Sequence, residues 1–300
     1  MANVVTTAET NLITIQQMAK VREVDFVQQF THDSLEKLME VLGVTRRIPM
    51  MEGTTMYYYT TTATGTLQSG AVPEGEVIPL SQFATTKSPI GEITLKKWRK
   101  AVSAEAIKKS GFDAAVNDTD AALMRLVQNG VRADLFTFLN GTITGSVSAT
   151  GQGLQAALAD AWGKLQVAFE DDTAESVYFV NPADVAKYLG GAQISMQTAF
   201  GMNYIENFLG LGTVIMSSRI TAGTFIATAK QNLILYYLTM NGDLANAFNL
   251  TADETGFIGI KSGYQNEERA QIESLVMDGI QILVEYAGGV VKGTITYPAG

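Results

Sequence analysis

The chain has 300 residues, 46% apolar and 17% charged, with a formal net charge of −9. That composition builds a folded core and excludes an intrinsically disordered chain, while the acid excess excludes a protein that wraps nucleic acid with a basic surface. The absence of cysteine excludes disulfides, thiolate catalysis and cysteine-held metals.

The length admits one large domain or two ordinary ones. No apolar run reaches the length of a membrane-crossing helix. The start, MANVVTTAETNLITIQQMAK, lacks the features of a signal peptide, so synthesis in a cytoplasm is expected.

Residues 1 to 50 read as a helical arm. In VDFVQQFTHDSLEKLMEVLG, Phe26, Phe30, Leu35, Leu38, Met39 and Leu42 recur at the spacing of one helix face. Gly43 is a stop signal. The single histidine, His32, sits among polar residues and reads as an ordinary surface or partly packed side chain.

From Ile48 to Thr86 the chemistry changes. TTMYYYTTTATGT is rich in β-branched and aromatic residues and predicts extended strand. GAVPEGEVIPLSQF, Gly70 to Phe83, breaks it with glycine and proline, and SQFATTKSPIGEITL returns to strand composition. The segment is predicted to run out and back as a two-stranded ribbon with an apolar tip: Val72, Val77, Ile78, Leu80 and Phe83. Such a ribbon is marginal alone in water, and its edges invite aggregation unless covered. It is therefore expected to lie on another surface; a hairpin packed on its own domain is the alternative.

No lysine or arginine occurs between Arg47 and Lys87, while Glu52, Glu74 and Glu76 are acidic. Lys96, Lys97, Arg99, Lys100, Lys108 and Lys109 follow closely. Opposite charges of this kind steer docking and register more than they add affinity. Glu74 and Glu76 are candidates to meet the basic stretch Lys96, Lys97, Arg99 and Lys100 on a neighbouring copy. A solvated charged face is the alternative.

In NDTDAALMRLVQNGVRADLFTFLNG, Leu123, Leu126, Val127, Val131, Leu135, Phe138 and Leu139 form one stripe. Asn117 and Asp118 are predicted to cap its start and Gly141 its end. From Thr119 to Leu139 this helix runs about 30 Å, enough for a spine. An α/β pattern follows Gly151. LQAALADAWGKLQVAF is helical, SVYFV is a strand, and NPADVAKYLGG is a helix capped by Asn181 with Pro182 at its first position. GTVIMSS, TFIATA and LILYYL read as short buried strands. The last third is mostly strand, with a turn at Gly288 and Gly289 and a closing strand from Val290 to Tyr297.

Chemistry-bearing motifs are sparse. GQGLQA, Gly151 to Ala156, fits the loose dinucleotide pattern, and Glu170, Asp171 and Asp172 follow. In a dinucleotide site the ribose-binding acid ends the second strand. Here the acids precede the strand SVYFV, so the stretch reads as a flexible loop entering a helix. Phosphate-loop, H-E-x-x-H and G-x-S-x-G patterns are absent. A Ser-His-Asp triad would have to recruit His32. Asp171 and Asp172 are adjacent and point apart, and nothing selects a carboxylate pair for hydrolysis. No catalytic residue, cofactor or metal ligand is assigned; the chain is read as not an enzyme.

Four stretches, in order, resemble a known family. GAVPEGEVIPLSQF resembles its extended loop and return, and EITLKKWRKAVSAEAIKKS its strand and short helix before the spine. YFVNPADVAKYL is similar to its strand-Asn-Pro-helix turn, and LGLGTVIMSSRITAGTFIATA to the paired strands that follow. The family is the tailed-bacteriophage major capsid protein of the Johnson fold, shared with herpesvirus capsid floors and encapsulin shells.

The resemblance implies an α+β fold in four parts: an N-terminal helical arm (1–49), an extended β-hairpin loop (50–87), a peripheral domain with a long spine helix (88–145 and 255–300), and an axial domain (146–254). It implies that the loop lies across a neighbour, with Gly70, Val72, Pro73, Glu74, Glu76, Ile78 and Phe83 at the interface. It also implies self-assembly through hexamers and pentamers into an icosahedral head shell around double-stranded DNA. The product is then a virion component made in a host bacterial cytoplasm. Its implied partners are a separate scaffolding protein, a portal and a decoration protein, with packaged DNA held weakly by an acidic wall. Some relatives crosslink neighbours through a loop lysine and an asparagine. Here the tip holds no lysine and Lys87 lies at its base, so no crosslinking residue is assigned. Some relatives carry a scaffolding segment before the arm; its expected absence here implies a separate scaffold or prior processing.

An encapsulin-like compartment shell is the nearest rival. A soluble α/β enzyme without a readable motif is a rival of another class, and a tail or surface-layer protein is a third.

Overall fold

The computed structural model describes residues 35–66, 68–170, 175–190, 196–199, 202–252 and 255–297. Most of the expected arm helix, with Phe26, Phe30 and His32, lies outside the described residues, as do Asp171 and Asp172. The chain begins with α1 (Leu35–Leu42), β1 (Arg46–Met50), the long strands β2 (Thr55–Thr66) and β3 (Gln82–Glu92), and β4 (Lys96–Ser103). Next come α2 (Ala104–Ser110), a π-helical turn (Asp113–Asn117), the spine helix α3 (Asp118–Asn140), β5 (Val147–Gln152) and α4 (Gly153–Ala168). β6 (Ser176–Val180), α5 (Pro182–Leu189), β7 (Gln197–Ala199), β8 (Met202–Ile205), β9 (Gly212–Met216) and β10 (Thr224–Ala229) follow. β11 (Leu233–Leu238), α6 (Asp243–Phe248), β12 (Thr251–Ala252), β13 (Ile258–Asn266), β14 (Gln271–Asp278), β15 (Ile280–Val284) and β16 (Val290–Thr296) complete it.

The largest sheet has seven strands in the order β5-β16-β10-β6-β9-β8-β7. Its central strand explains the run SVYFV. Successive strand residues face opposite sides, and here both sides are covered. Val177 and Phe179 pack in the cluster with the spine helix, and Tyr178 and Val180 in the cluster with α4. A strand buried on both faces has no reason to alternate polar with apolar residues. The closing strand β16 lies inside this sheet, parallel to β5 and antiparallel to β10.

The spine helix runs over the expected residues but departs in detail. Asn117 is itself helical and makes no side-chain cap, because the π turn feeds directly into α3. Val127, Val131, Leu135 and Leu139 are buried as the stripe predicts, whereas Leu126 is 67% exposed and Phe136 is 1% exposed. The buried face is therefore broader than one seam, because the helix packs in one cluster with residues of the seven-stranded sheet, of β11 and β15, and of a four-stranded sheet. The four-stranded sheet is antiparallel, in the order β12-β13-β14-β4.

Local chemistry sets the helix starts. Asn181 caps α5, its side chain accepting from the Ala183 amide at 2.9 Å, with Pro182 in the first turn. Its own amide donates to the Ile220 carbonyl at 2.6 Å, tying the helix to the turn before β10. Ser103 caps α2 by accepting from the Ala106 amide at 3.3 Å. Gly151 is a strand residue rather than part of a flexible loop. It pairs with Ile295, and a Cβ there would lie 2.3 Å from the Ala157 amide nitrogen, so α4 closes against the strand backbone.

Two smaller sheets finish the fold. β1 pairs in parallel with β11, which pairs antiparallel with β15. β2 and β3 form a separate two-stranded antiparallel ribbon, from Thr55 opposite Glu92 to Thr66 opposite Gln82. At its base Met56 and Ile93, each 1% exposed, sink into a cluster with Leu238, Met240, Met277 and Leu283.

Candidate subunit-contact surface

The ribbon is anchored at one end and open at the other. Twelve residues of β2 span about 40 Å at strand rise. β2 passes beside the turn Ala287–Gly289, and the ammonium of Lys87 sits 4.6 Å from the Tyr57 ring centroid near the base. The ladder shifts register between Met56 and Tyr57 and again between Thr60 and Thr64. Such irregularities bend and twist a ribbon.

The tip is ordered by its own backbone. The Glu76 amide donates to the Pro73 carbonyl at 3.2 Å across Gly75, whose φ of +89° suits glycine. The Gln68 amide donates to Ser81 Oγ at 3.0 Å and holds the two strands together at the neck. Every residue from Gln68 to Ser81 is exposed except Val72, which is half-buried. Gly70, Pro73, Glu74 and Glu76 therefore stand in solvent with Ile78. Val77, Ile78 and Leu80 are 91%, 74% and 94% exposed. Three large aliphatic side chains within four residues form an apolar patch, and full burial of such a side chain is worth about 1.5–3 kcal/mol. Phe83 pairs with Gly65 through its backbone, and its side chain lies outside the described residues.

The basic stretch proves to be mainly an internal seam. Strand alternation turns Lys100 inward, where it is 8% exposed. Its ammonium donates to the Val116 carbonyl at 2.8 Å and Thr119 Oγ1 at 2.6 Å, and meets Asp120 at 2.5 Å. Burial pulls the Lys100 pKa down, and Asp120 opposes that shift. Lys96 pairs with Asp134 of the spine helix, and Arg99 lies 3.7 Å from the buried Glu273 of β14. Lys97 alone of the four is an exposed lysine with no ion pair recorded among the described residues. Lys100 is thus withdrawn from the docking set, for the physical reason that it fastens β4 to the start of α3.

A surface that sequence reasoning did not assemble lies beside it. α2 and the connection from β13 to β14 flank an open groove of about 520 Å³. Ala104, Ile107, Ala270 and Ile272 line it with apolar surface, together with exposed Lys108 and Glu267. Gln271 Oε1 is buried against it without a hydrogen-bond partner. Lys108 was visible as charge, but the groove depends on a hairpin more than 150 residues later in the chain.

The described residues contain no group of three or more His, Cys, Asp or Glu able to hold a metal. Among them, no helix is long and apolar enough to cross a membrane.

No family model matches the sequence, and no curated protein matches it. Solved structures do. A chain from Gordonia phage Cozz is 14% identical with a TM-score of 0.51, over 87% of this chain and 86% of that chain. The virus-like particle from Pyrococcus furiosus is 16% identical with a TM-score of 0.48, over 89% of this chain and 99% of that chain. The holo-SrpI encapsulin of Synechococcus elongatus PCC 7942 is 11% identical with a TM-score of 0.49, over 96% and 99%. An anchored ribbon, a long spine helix packed with three sheets, and the match to the Gordonia phage chain over most of both lengths lead to one conclusion: the chain has the α+β phage major capsid (Johnson) fold.

Proposed function

We propose that the chain is a major capsid subunit that assembles with copies of itself, through hexamers and pentamers, into the icosahedral head shell around the double-stranded DNA of a tailed phage. The observation that carries this reading is the tip of the ribbon. Val77, Ile78 and Leu80 stand in water at the end of a strand pair whose base is locked into the core. A patch of that kind, on a ribbon with open edges, marks a surface completed by another molecule. A second copy supplies a groove lined by Ile107 and Ile272 with one cation, Lys108, and one acid, Glu267, so apolar contact rather than net charge would hold the tip. One heterologous contact repeated under closed symmetry gives a finite shell.

The proposed division is an arm (1–49), an extended loop (50–87), a peripheral domain on the spine helix (88–145 with 255–289), and an axial domain (146–254). The closing strand is counted with the axial sheet to which it bonds. A separate scaffolding protein, a portal and a decoration protein are the proposed partners. DNA is held by confinement, in keeping with the net charge of −9.

The test is expression of the full chain and of a variant lacking residues 66–82, compared by size-exclusion chromatography and electron microscopy. The full chain is expected to form megadalton closed particles or capsomers, and the deletion a folded, unassembled subunit. A full chain that stays monomeric or dimeric under every assembly condition would overturn the reading, as would a loop deletion that still closes shells. Closed particles carrying a packaged enzyme in place of DNA would favour the compartment shell.

A further inference from the structure

Asp278 ends β14 in an unusual setting. It is 1% exposed, and neither carboxylate oxygen has a hydrogen-bond partner of full geometry. Directly across the strand pair, in register, stands Lys96 of β4. The Lys96 ammonium is engaged with Asp134 on the spine helix. The Lys96 and Asp134 side chains are 36% and 38% exposed, whereas Asp278 is buried. On the other flank Asp278 is opposite Ile258 of β13, which brings no charge. One cation therefore serves two carboxylates, on two different elements.

We propose that Asp278 and Asp134 compete for Lys96, and that the proton on Asp278 decides the outcome. With Asp278 neutral, Lys96 clamps the spine helix to the four-stranded sheet through Asp134. With Asp278 ionised, the buried charge draws Lys96 inward, because an uncompensated carboxylate in the interior demands a counter-ion. Asp134 is then released, since a partly exposed ion pair holds only weakly. Burial pushes Asp278 up to about 7, Asp134 adds to the rise, and Lys96 and the Ile280 amide oppose it. The device follows from the fold alone and stands whether or not the shell reading holds.

Hydrogen exchange of the full-length chain at about pH 6 and about pH 8.5, corrected for intrinsic rates, tests it. Amides of residues 118–140 are expected to exchange about two- to fivefold faster at the higher pH in the wild type. In Asp278→Asn the slow rate is expected at both, and Lys97→Met is expected to keep the wild-type response. A wild type without the pH response, or an Asp278→Asn variant that retains it, overturns the proposal. Should Asp278→Asn fail to fold, carboxyl NMR titration of the wild type and Asp134→Asn decides. Asp278 is expected to titrate near neutrality and to move downward in Asp134→Asn. Titration in the ordinary carboxylate range, or a midpoint indifferent to Asp134, overturns it.

Discussion

Phe136 of the spine helix meets Phe179 of the central strand edge-on, with ring centroids 5.8 Å apart and planes at 90°. Both rings are essentially inaccessible to solvent, and the pair joins the longest helix to the middle of the largest sheet. Edge-to-face aromatic pairs add to the burial of their area. Phe136→Ala is expected to lower the unfolding free energy of the unassembled subunit by about 3–5 kcal/mol. Leu126→Ala, ten residues earlier and exposed, is expected to change it by less than about 0.5 kcal/mol. Urea denaturation of the two variants side by side checks the contrast.

At the ribbon tip, folding and assembly are expected to separate. Ile78→Asp combined with Leu80→Asp places charge on side chains that already stand in water. The melting temperature of the subunit is expected to stay within a few degrees of wild type, since such surface changes cost about 0.5 kcal/mol or less. Particle formation is expected to be lost. Circular dichroism and negative-stain microscopy read the two effects independently.

Lys97 and Lys100 look alike in the sequence and are expected to behave differently. Lys97→Met removes an exposed charge and is expected to be near neutral for stability. Lys100→Met strips the Val116 carbonyl, the Thr119 hydroxyl and Asp120 of a buried partner. Breaking a buried pair in this way costs about 3–5 kcal/mol, and the partial exposure of Asp120 places this case at the lower end. Thermal denaturation of the two variants distinguishes them.

Two buried carboxylates are expected to tilt the pH–stability curve in opposite directions. Asp278 has its folded pKa raised to about 7 from an ordinary 3.8, chiefly by burial. The folded state then holds the proton more tightly, so stability falls as pH rises through that window and levels off above it. Asp278→Asn is expected to flatten this slope and to gain up to about 4 kcal/mol at mildly alkaline pH. Glu273 behaves in reverse. Burial pushes it up, but the Tyr264 hydroxyl and the Asn266 amide, each at 2.7 Å, together with Arg99 and Arg269, outweigh burial and leave its pKa lowered. Its contribution is present above the ordinary carboxylate range and is lost as pH falls through the lowered value. Tyr264→Phe is expected to cost about 1–3 kcal/mol at neutral pH and less in acid. Denaturant titrations across the pH range read both slopes.

Elements whose causes are local were legible in the sequence. Asn181 and Pro182 start α5 where the dipeptide predicts, and SVYFV is a strand because both its faces are covered. Features that depend on distant partners were not. The stripe drawn through Leu126 and Phe138 assumed one apolar seam, whereas α3 packs with three sheets and buries Phe136. No residue announces the π turn before Asp118, which displaces the expected cap. The ribbon and its apolar tip could be read from composition, but the inward turn of Lys100 could not. Whether a lysine on β4 points outward or inward depends on β14 and α3, and neither is encoded near Lys100.

The placement of β16 has a consequence for biosynthesis. Residues 290–296 slot between β5 and β10, so without them the broadest sheet has a gap near one edge. A chain cut before Val290 keeps both strands of the ribbon but lacks the strand that bridges β5 and β10. Under the proposed shell role, a subunit truncated there is expected to fail before it could be incorporated into, and spoil, a growing lattice.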